Sequence, residues 1–344
     1  MSPAPSFERF DYLLRTNKHI ERRIVFDVIA SSRQKLGVIG GWYLGFGSMW
    51  FGDFRIAHRQ LRIDDLVSIE HEDYAKRAEF NRPFAGVRVK SGSSEDVLPR
   101  ISPEEWNSPV IAWLDYDGYL NSAVVSDVDL ILDAAAVNSV VIITVNADRR
   151  TYRPRSSSGP REREETAVGV VEGFLGRNVT PPKYEPCENE VGVYQEPPES
   201  VFPEYLCEAV ISYMAHRVAA SGRTAPDGQV ISFTPLFKLH HKDGADMVTI
   251  GGAITTEHTA NSWSASVAEM SVISDEGGFP SYCKLDLIPF TVKEKIILDE
   301  CLPGESDGDM LEGARKLGIQ LAEKNITDYR KFYRYFPVFV ESGI

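Results

Sequence analysis

The first hydrophobic pattern in the chain has the spacing of an amphipathic helix. Between residues 17 and 35, apolar side chains recur every three or four positions with charged residues between them: Ile20, Ile24, Val25, Val28 and Ile29. Gly37, Gly40 and Gly41 follow. The pattern predicts a helix that ends before these glycines.

Short apolar runs and helical patterns then alternate as far as residue 147. Strands are predicted at residues 42–44, 66–69, 87–90, 110–114 and 140–145, and helices at residues 50–60, 73–81 and 123–136. The strands are apolar on both faces, which is typical of a parallel sheet covered by helices on each side. This half of the chain therefore predicts an α/β domain.

The second half begins with a change in composition. Residues 148–200 are rich in Arg, Pro, Ser and Glu with little periodicity, which indicates an irregular insertion or a lid. Helical spacing returns at residues 204–220, and extended runs at 230–240 and 247–254 flank a Lys-Asp-Gly-Ala sequence. Asp-Gly between two such runs predicts an antiparallel hairpin.

These changes divide the chain into four parts. Residues 1–147 form the parallel half with its N-terminal helix, residues 148–200 the insertion, residues 201–258 the last helix and the hairpin that completes the sheet, and residues 259–344 a helical C-terminal module.

Charge and hydropathy narrow the class of protein. The net charge of −13 opposes binding to nucleic acid, although one local basic groove would still allow it. No apolar run approaches the roughly 20 residues that span a bilayer. The first residues do not have the layout of a secretory signal. We therefore expect a cytoplasmic protein without membrane contact, and the sequence does not predict its oligomeric state.

No metal site is expected. His240 and His241 are adjacent on a predicted strand, so their side chains point to opposite faces and cannot easily share an ion. The four cysteines are widely scattered, without a C-x-x-C pair. They are Cys187, Cys207, Cys283 and Cys301.

A glycine-containing segment, Gly45-Phe46-Gly47-Ser48, lies between the first predicted strand and the next helix. Glycines let the backbone turn sharply and approach a ligand closely, and the N-terminus of the following helix offers free N–H groups. A lone G-x-G is also common in ordinary turns, so its meaning depends on the motifs that follow it.

Polar residues follow the next two strands. Glu70 ends the second strand, where a carboxylate accepts hydrogen bonds from ribose hydroxyls in nucleotide-binding sheets; a surface or capping role is the alternative. After the third strand, Ser94, Glu95 and Asp96 could reach an adenine edge. Equally, Ser93 or Ser94 could simply cap the next helix.

The fourth predicted strand is followed by Asp115-Tyr116-Asp117-Gly118. Polar groups at the end of a buried strand are costly unless they face a cleft, and open α/β sheets bind ligands at that edge. These residues are the candidate reacting centre, with a structural turn as the alternative.

In this order, the motifs resemble those of class I S-adenosylmethionine-dependent methyltransferases. The resemblance covers residues 18–147 and 230–254. It implies a Rossmann-like methyltransferase fold, in which a mostly parallel sheet ends in a C-terminal antiparallel hairpin. It also implies S-adenosylmethionine as the cofactor.

The resemblance also implies roles for individual residues. Asp115 would lie beside the sulfonium and the acceptor, and Glu70 would hold the ribose. The glycines of the loop would line the methionine part of the cofactor. The other residues implied for cofactor binding are Gly45, Phe46, Gly47 and Ser48 in the glycine loop, and Ser94, Glu95 and Asp96 near the adenine.

The implied reaction is methyl transfer by direct displacement at the sulfonium. Asp115 and Asp117 would position or deprotonate the acceptor, and Tyr116 would stack on it or hydrogen-bond to it. The Asp-Tyr-Asp-Gly sequence is similar to the Asp-Pro-Pro-Tyr loop of enzymes that methylate exocyclic amines. The sequence does not identify the acceptor. The similarity of this loop makes an amine of a nucleobase or small molecule one candidate.

Two positions depart from the family pattern. Tyr43 stands where an acidic residue is usual, and Met49 stands where a third glycine is common. These departures favour an alternative function, a catalytically degenerate S-adenosylmethionine-binding sensor or partner subunit. A dehydrogenase fits less well, because its G-x-G-x-x-G would need glycine at Trp50.

Arginines crowd the start of the insertion, with Tyr152 among them. Arginine forks and an aromatic ring could form a phosphate-binding lid, but the glutamates that follow favour a solvated loop. The arginines are Arg149, Arg150, Arg153, Arg155, Arg161 and Arg163.

Overall fold

The computed structural model describes residues 15–153, 162–188, 194–195 and 198–337. The elements of the first half, in chain order, are α1 Thr16–Leu36, β1 Trp42–Gly45, α2 Gly52–Leu61, β2 Asp65–Glu70, α3 Glu72–Phe80, β3 Val87–Ser91, α4 Ser94–Val97, α5 Pro103–Trp106, β4 Val110–Tyr119, α6 Ser122–Ala134 and β5 Val140–Asn146. Those of the second half are α7 Ala167–Leu175, β6 Cys187–Glu188, β7 Tyr194–Gln195, α8 Phe202–Ser221, β8 Ser232–Lys242, β9 Asp246–Thr255, α9 Glu257–Ala268, β10 Tyr282–Leu285, α10 Val292–Glu300, α11 Asp307–Lys316 and α12 Glu323–Phe332.

Eight of the described strands form one sheet, in the order β10-β8-β9-β5-β4-β1-β2-β3. Strands β1 to β5 pair in parallel, whereas β9 runs antiparallel to both of its neighbours, β5 and β8. The mostly parallel sheet with a late antiparallel hairpin confirms the predicted fold class.

The register of the sheet brings the ends of the first four strands to one edge. Gly45 at the end of β1 pairs with Ser68 in β2 and with Trp113 in β4, and Glu70 pairs with Ser91 at the end of β3. The segments that follow these strands therefore meet at the carboxyl edge of the sheet, where open α/β sheets bind ligands.

A hydrophobic core lies on each face of the sheet. One face packs against α6, α7 and α8, through buried residues such as Val128, Val171 and Leu206. The other packs against α1, α2 and the C-terminal helices, through residues such as Ile24 and Tyr329. Among the described residues, no helix is both long enough and apolar enough to cross a bilayer.

The predicted insertion contains more structure than its composition indicates. Helix α7 lies within residues 148–200, begins after a Thr166 cap, and buries Val168, Val171 and Leu175 in the core. The prediction of a wholly irregular segment is therefore wrong for α7. The sequence did not predict this nine-residue helix, because its short apolar stretch lies between charged and proline-rich segments.

The C-terminal part is also not wholly helical. Strand β10 pairs in parallel with β8 and extends the sheet by one strand. Leu298 and Ile326 share a core with Ile20 of α1. The C-terminal residues thus help to hold the N-terminal helix in place, and the fourfold division of the chain stays a prediction.

Candidate functional site

The glycine loop after β1 is too tightly packed for side chains at its two glycines. A Cβ atom on Gly47 would lie 2.5 Å from the Phe51 ring and 2.7 Å from the Ser68 Oγ. A Cβ atom on Gly45 would lie 2.8 Å from the carbonyl oxygen of Trp113. Glycine is therefore required at both positions by the close packing of the loop against its own chain.

Glu70 is tied to this loop by a short chain of hydrogen bonds. The Gly47 N–H donates to Ser68 Oγ at 2.9 Å, and the Ser68 hydroxyl donates to Glu70 Oε1 at 2.6 Å. Burial raises the pKa of Glu70, against the opposing effect of the Ser68 hydroxyl and the backbone N–H groups of Ser48 and Gly47. The first and second strand ends thus form one polar unit.

The Asp-Tyr-Asp-Gly sequence belongs to β4 itself, which runs to Tyr119. The predicted end of the strand at residue 114 is therefore wrong. Beyond a register shift after Asp115, Tyr119 pairs with Asn146 of β5 and continues the ladder. Strand alternation places Asp115 and Tyr116 on opposite faces of the sheet.

On the α1 face, Asp115 accepts from a buried lysine. The Lys18 Nζ lies 3.0 Å from Asp115 Oδ1 and 2.9 Å from Glu21 Oε2, and the other Glu21 oxygen lies 3.0 Å from His241 Nδ1. The Lys18 side chain is 3% exposed and that of Asp115 is 20% exposed. Burial opposes the charge on Lys18, but Asp115 and Glu21 outweigh it and raise the pKa of the lysine.

A second buried ion pair lies beside the first. Arg22 on α1 pairs with Asp53 in the first turn of α2. Burial raises the pKa of Asp53, and Arg22 opposes that rise. We call this set of charged side chains the α1 ion network: Lys18, Glu21, Arg22, Asp53, Asp115 and His241.

Tyr43, two residues before the glycine loop, is buried within the electrostatic range of this network. Tyr43 is fully buried, and its hydroxyl has no hydrogen-bond partner among the described residues. Burial raises the pKa of Tyr43, and the nearby Asp53 carboxylate adds to the rise.

On the other face, Tyr116 belongs to a group without cations. Its hydroxyl donates to Asp127 Oδ2 at 2.6 Å, and its ring meets that of Phe46 edge to face, with centroids 5.2 Å apart. Burial raises the pKa of Asp127, although hydrogen bonds from Ser94 and Tyr116 oppose the rise. The ring edge of Tyr116 and the loop residue Phe46 thus form an aromatic corner at the carboxyl edge.

The other predicted site residues lie nearer the surface. Ser93 caps α4 by accepting from the Asp96 N–H at 3.2 Å, so the capping alternative for this serine is confirmed. Glu95, Asp96 and Asp117 are exposed. The geometry brings together Glu70, the glycine loop and both faces of β4, and leaves the cofactor roles of Ser94, Glu95 and Asp96 as predictions.

The histidines on β8 point to opposite faces, as predicted. His240 Nε2 lies 3.1 Å from Asp246 Oδ1, and its Nδ1 lies 2.6 Å from the Tyr282 hydroxyl. His241 contacts Glu21 on the α1 face. Within the part of the chain that the structure describes, no three His, Cys, Asp or Glu side chains are placed to hold a metal ion.

Several arginines of the insertion are engaged in ion pairs. Arg163 donates to Glu172 Oε1 at 2.7 Å, and Arg150 pairs with Asp148 at 2.6 Å. Arg155 and Arg161 lie outside the described residues. The phosphate-binding lid stays a prediction.

A cavity of about 150 Å³ lies beside β3 and the short helices. None of the predicted site residues lines it, so we do not assign it to the site. Its lining residues are Val67, Lys90, Ser91, Val97, Arg100, Ile101 and Glu105.

Sequence reasoning missed four members of the α1 ion network. Lys18, Glu21 and Arg22 stand between the apolar positions of α1, where charges usually face solvent. Asp53 follows the glycine loop in the sequence. A signal was available, because oppositely charged residues three apart in a helix often pair, but spacing does not reveal burial.

Comparison with known proteins gives one match over nearly the whole chain. A sequence profile of the family described as "Putative O-methyltransferase" matches residues 10–344. No curated protein matches.

Similar solved structures are remote in sequence. Trm1 from Pyrococcus horikoshii in complex with S-adenosyl-L-methionine aligns with a TM-score of 0.39 at 9% identity, covering 91% of this chain and 76% of that one. TomG, an O-methyltransferase from Streptomyces achromogenes in complex with SAM, aligns with a TM-score of 0.34 at 15% identity, covering 67% of this chain and 79% of that one. A LepI variant in complex with SAH and a substrate analogue gives 0.32 at 11%, covering 65% of this chain and 46% of that one, so this chain spans under half of LepI. The evidence for the fold is the sheet order itself.

Proposed function

Because the chain belongs to the family described as "Putative O-methyltransferase", we propose that it transfers a methyl group from S-adenosylmethionine to a hydroxyl oxygen. Membership confirms the sequence prediction of a methyltransferase. The observation that carries the proposal is the unit formed by Gly47, Ser68 and Glu70, at the same carboxyl edge of the sheet as Asp115 of β4. We propose oxygen as the acceptor atom because the family description names an O-methyltransferase. This proposal replaces the exocyclic amine that the loop sequence suggested.

The residues at this edge fit the cofactor. The glycines at 45 and 47 are packed too closely against Trp113, Phe51 and Ser68 to carry side chains, so the backbone of the loop lies close to β2 and β4. Glu70 offers a buried carboxylate at the end of β2, suited to ribose hydroxyls. Phe46 and Tyr116 supply aromatic edges beside the loop, and the backbone N–H groups of Ser48 and Gly47 hold the Glu70 carboxylate in place. When bound, S-adenosylmethionine supplies an electrophilic methyl group on its sulfonium.

Asp115 is the more exposed member of its ion pair. Its side chain is 20% exposed, whereas that of Lys18 is 3% exposed. We assign to Asp115, with the exposed Asp117 two residues on, the task of orienting the acceptor and receiving its hydroxyl proton as the oxygen takes the methyl group. After the transfer, the residues at this edge would hold S-adenosylhomocysteine, a neutral thioether.

Tyr116 has a different proposed role. Its hydroxyl already donates to Asp127, and burial together with that carboxylate raises its pKa. We therefore assign its ring, not its proton, to contact with the bound molecules.

The test of this function uses two isosteric changes and a matched control. Asp115→Asn and Asp117→Asn should abolish transfer of labelled methyl from S-adenosylmethionine to cell extract and keep much of the cofactor affinity, because they act mainly in the transition state. Asp64→Asn, at a side chain 88% exposed before β2, should leave the transfer unchanged.

The outcome also decides between the enzyme and the sensor alternative. Nuclease sensitivity or filtration of the labelled product would identify the acceptor as nucleic acid or small molecule. If the wild-type protein binds the cofactor tightly but labels nothing in protein, nucleic acid or metabolites, the enzyme is rejected and the sensor is retained.

A further inference from the structure

A second pocket lies beside β3, on the face of the sheet that packs against α6. It is a cavity of about 150 Å³, with β2 and β3 on one side and α4, α5 and the turn that joins these helices on the other. None of the residues to which we assign a role with the cofactor or the acceptor lines it. The pocket is therefore separate from the proposed active site.

The inner wall of this cavity is aliphatic. Val67, Val97 and Ile101 line it, and all three are buried. Cavities of this volume with aliphatic walls bind molecules of the size of benzene. Entry of such a ring is favourable because it removes apolar surface from water. The inner wall therefore suits an apolar body of about one ring.

The opening of the cavity carries two cations. Lys90 and Arg100 line the cavity and are exposed, and neither side chain makes an ion pair or a hydrogen bond with another described residue. Arg88 differs, although strand alternation places it on the same face of β3 as Lys90. Arg88 lies 2.7 Å from the Asp65 carboxylate and 2.7 Å from that of Glu105. Within the described chain, the two cations at the opening thus lack the carboxylate partners that Arg88 has.

The one carboxylate among the lining residues is already engaged. Glu105 Oε1 lies 2.7 Å from Arg88 Nη1, and Glu105 Oε2 accepts from the Ser102 N–H at 3.2 Å. Burial opposes the charge on Glu105, but Arg88, the Ser102 N–H and the nearby Lys90 outweigh it and lower the pKa of Glu105. Because Arg88 balances this carboxylate, the opening of the cavity keeps an excess of positive charge.

We infer that this cavity binds a small carboxylate with an apolar body of about one ring. The body packs against the aliphatic inner wall, and the carboxylate faces Lys90 and Arg100 at the opening. A guanidinium suits a carboxylate because its N–H groups can donate two parallel hydrogen bonds. The inference is independent of the proposed methyl transfer, since no residue of the proposed active site takes part in it.

The test uses three ligands that separate the ring from the charge. Benzoate carries both, benzyl alcohol keeps the ring without the charge, and acetate keeps the charge without the ring. NMR titration of the full chain, in a buffer free of other carboxylates, measures each affinity and locates the ligand from the amides that shift. Benzoate should bind about 10-fold more tightly than benzyl alcohol, because two exposed ion pairs each contribute up to about fivefold. Acetate should bind at least about 10-fold more weakly than benzoate, because it buries no ring.

A double substitution at the opening gives a second readout. Lys90→Gln combined with Arg100→Gln should weaken benzoate about 10-fold and leave benzyl alcohol unchanged. The matched control is Lys76→Gln combined with Arg77→Gln, which removes the same two charges from exposed positions of α3. Helix α3 packs on the opposite face of the sheet through Ala78, so the control should leave both affinities unchanged. Because all four side chains are exposed, thermal unfolding should give both variants the Tm of the wild type.

Several results would overturn the inference. One is benzoate that binds no more tightly than benzyl alcohol, or that does not bind at millimolar concentration. Another is equal weakening of benzoate by the two double variants, which would indicate attraction to net charge alone. Amide shifts confined to residues away from the cavity would also overturn it. The comparison of the three ligands uses the wild-type protein without S-adenosylhomocysteine, so its outcome does not depend on the proposed function.

Discussion

The two faces of the sheet at the end of β4 use different chemistry. On the α1 face, Asp115 joins a buried chain of ion pairs that continues through Lys18 and Glu21 to His241 on β8. On the α6 face, one residue further along the strand, the neutral Tyr116 hydroxyl donates to the Asp127 carboxylate, with Ser94 beside it, and the ring has an aromatic neighbour.

The difference predicts how strongly the stability of each face depends on having every interaction partner in place. Charges taken out of water repay their desolvation only when every partner is in place, so loss of one partner leaves an uncompensated buried charge. Removal of a neutral hydroxyl that donates to a carboxylate costs less, because no full charge is lost. The fully buried charged positions of the α1 face should therefore be less tolerant of substitution than the partly exposed Asp115 and than Tyr116 on the α6 face.

The largest expected effect is at Glu21. Glu21→Gln keeps the shape of the side chain but removes the carboxylate that faces Lys18 and His241. We expect a loss of about 3–5 kcal/mol in the free energy of unfolding, measured by urea denaturation at neutral pH. A loss of less than about 1 kcal/mol, as for an exposed ion pair, would mean that the network contributes no more than surface charges do.

The same residue predicts a pH dependence. Burial opposes the ionisation of Glu21, but His241 and Lys18 outweigh it, so the pKa of Glu21 in the folded chain lies well below its usual value. A lowered carboxyl pKa contributes stability above the unfolded value of about 4.3, and this contribution is lost as the pH falls below it. The stability difference between wild type and Glu21→Gln should therefore shrink below about pH 4. A stability difference between the two proteins that stays constant down to acid pH would show that the ionisation of Glu21 is not coupled to folding.

A smaller effect is expected on the α6 face. Tyr116→Phe removes the hydroxyl that donates to Asp127 and keeps the ring against Phe46. The same urea measurement should show a loss of about 1.5–3 kcal/mol, as for a hydrogen bond to a charged group. A loss as large as that of Glu21→Gln would show that the two faces do not differ in the way described.

The sequence predicted the sheet well, because its strands are apolar runs with clear breaks. Few structures other than a buried strand fit the apolar run at residues 140–145. Few other than a hairpin fit an Asp-Gly between two extended stretches. The end of β4 could not be predicted in the same way. Asp115 to Gly118 have the composition of a turn, but Asp115 pairs with Thr144 and Tyr119 with Asn146, so the strand continues through them.

The candidate site was predictable only in part. Gly45, Gly47 and Glu70 stand at strand ends that the sequence itself indicates, so their proximity followed from the topology. The burial of Lys18 and Arg22 could not be predicted, because burial of a charged residue depends on partners far along the chain. Lys18 meets Asp115 across 97 positions, and helical spacing carries no information about that distance.

The most direct test of the account is calorimetric binding of S-adenosylhomocysteine to the wild-type protein and to two variants. Glu70→Ala removes the carboxylate tied to the glycine loop and should weaken binding by about 1–3 kcal/mol, because polar groups in the pocket lose their partner. Glu72→Ala, at an exposed residue in the first turn of α3, should bind as the wild type does. The account predicts measurable wild-type binding and this order of affinities. No binding by the wild-type protein at millimolar ligand would contradict both the methyltransferase and the sensor.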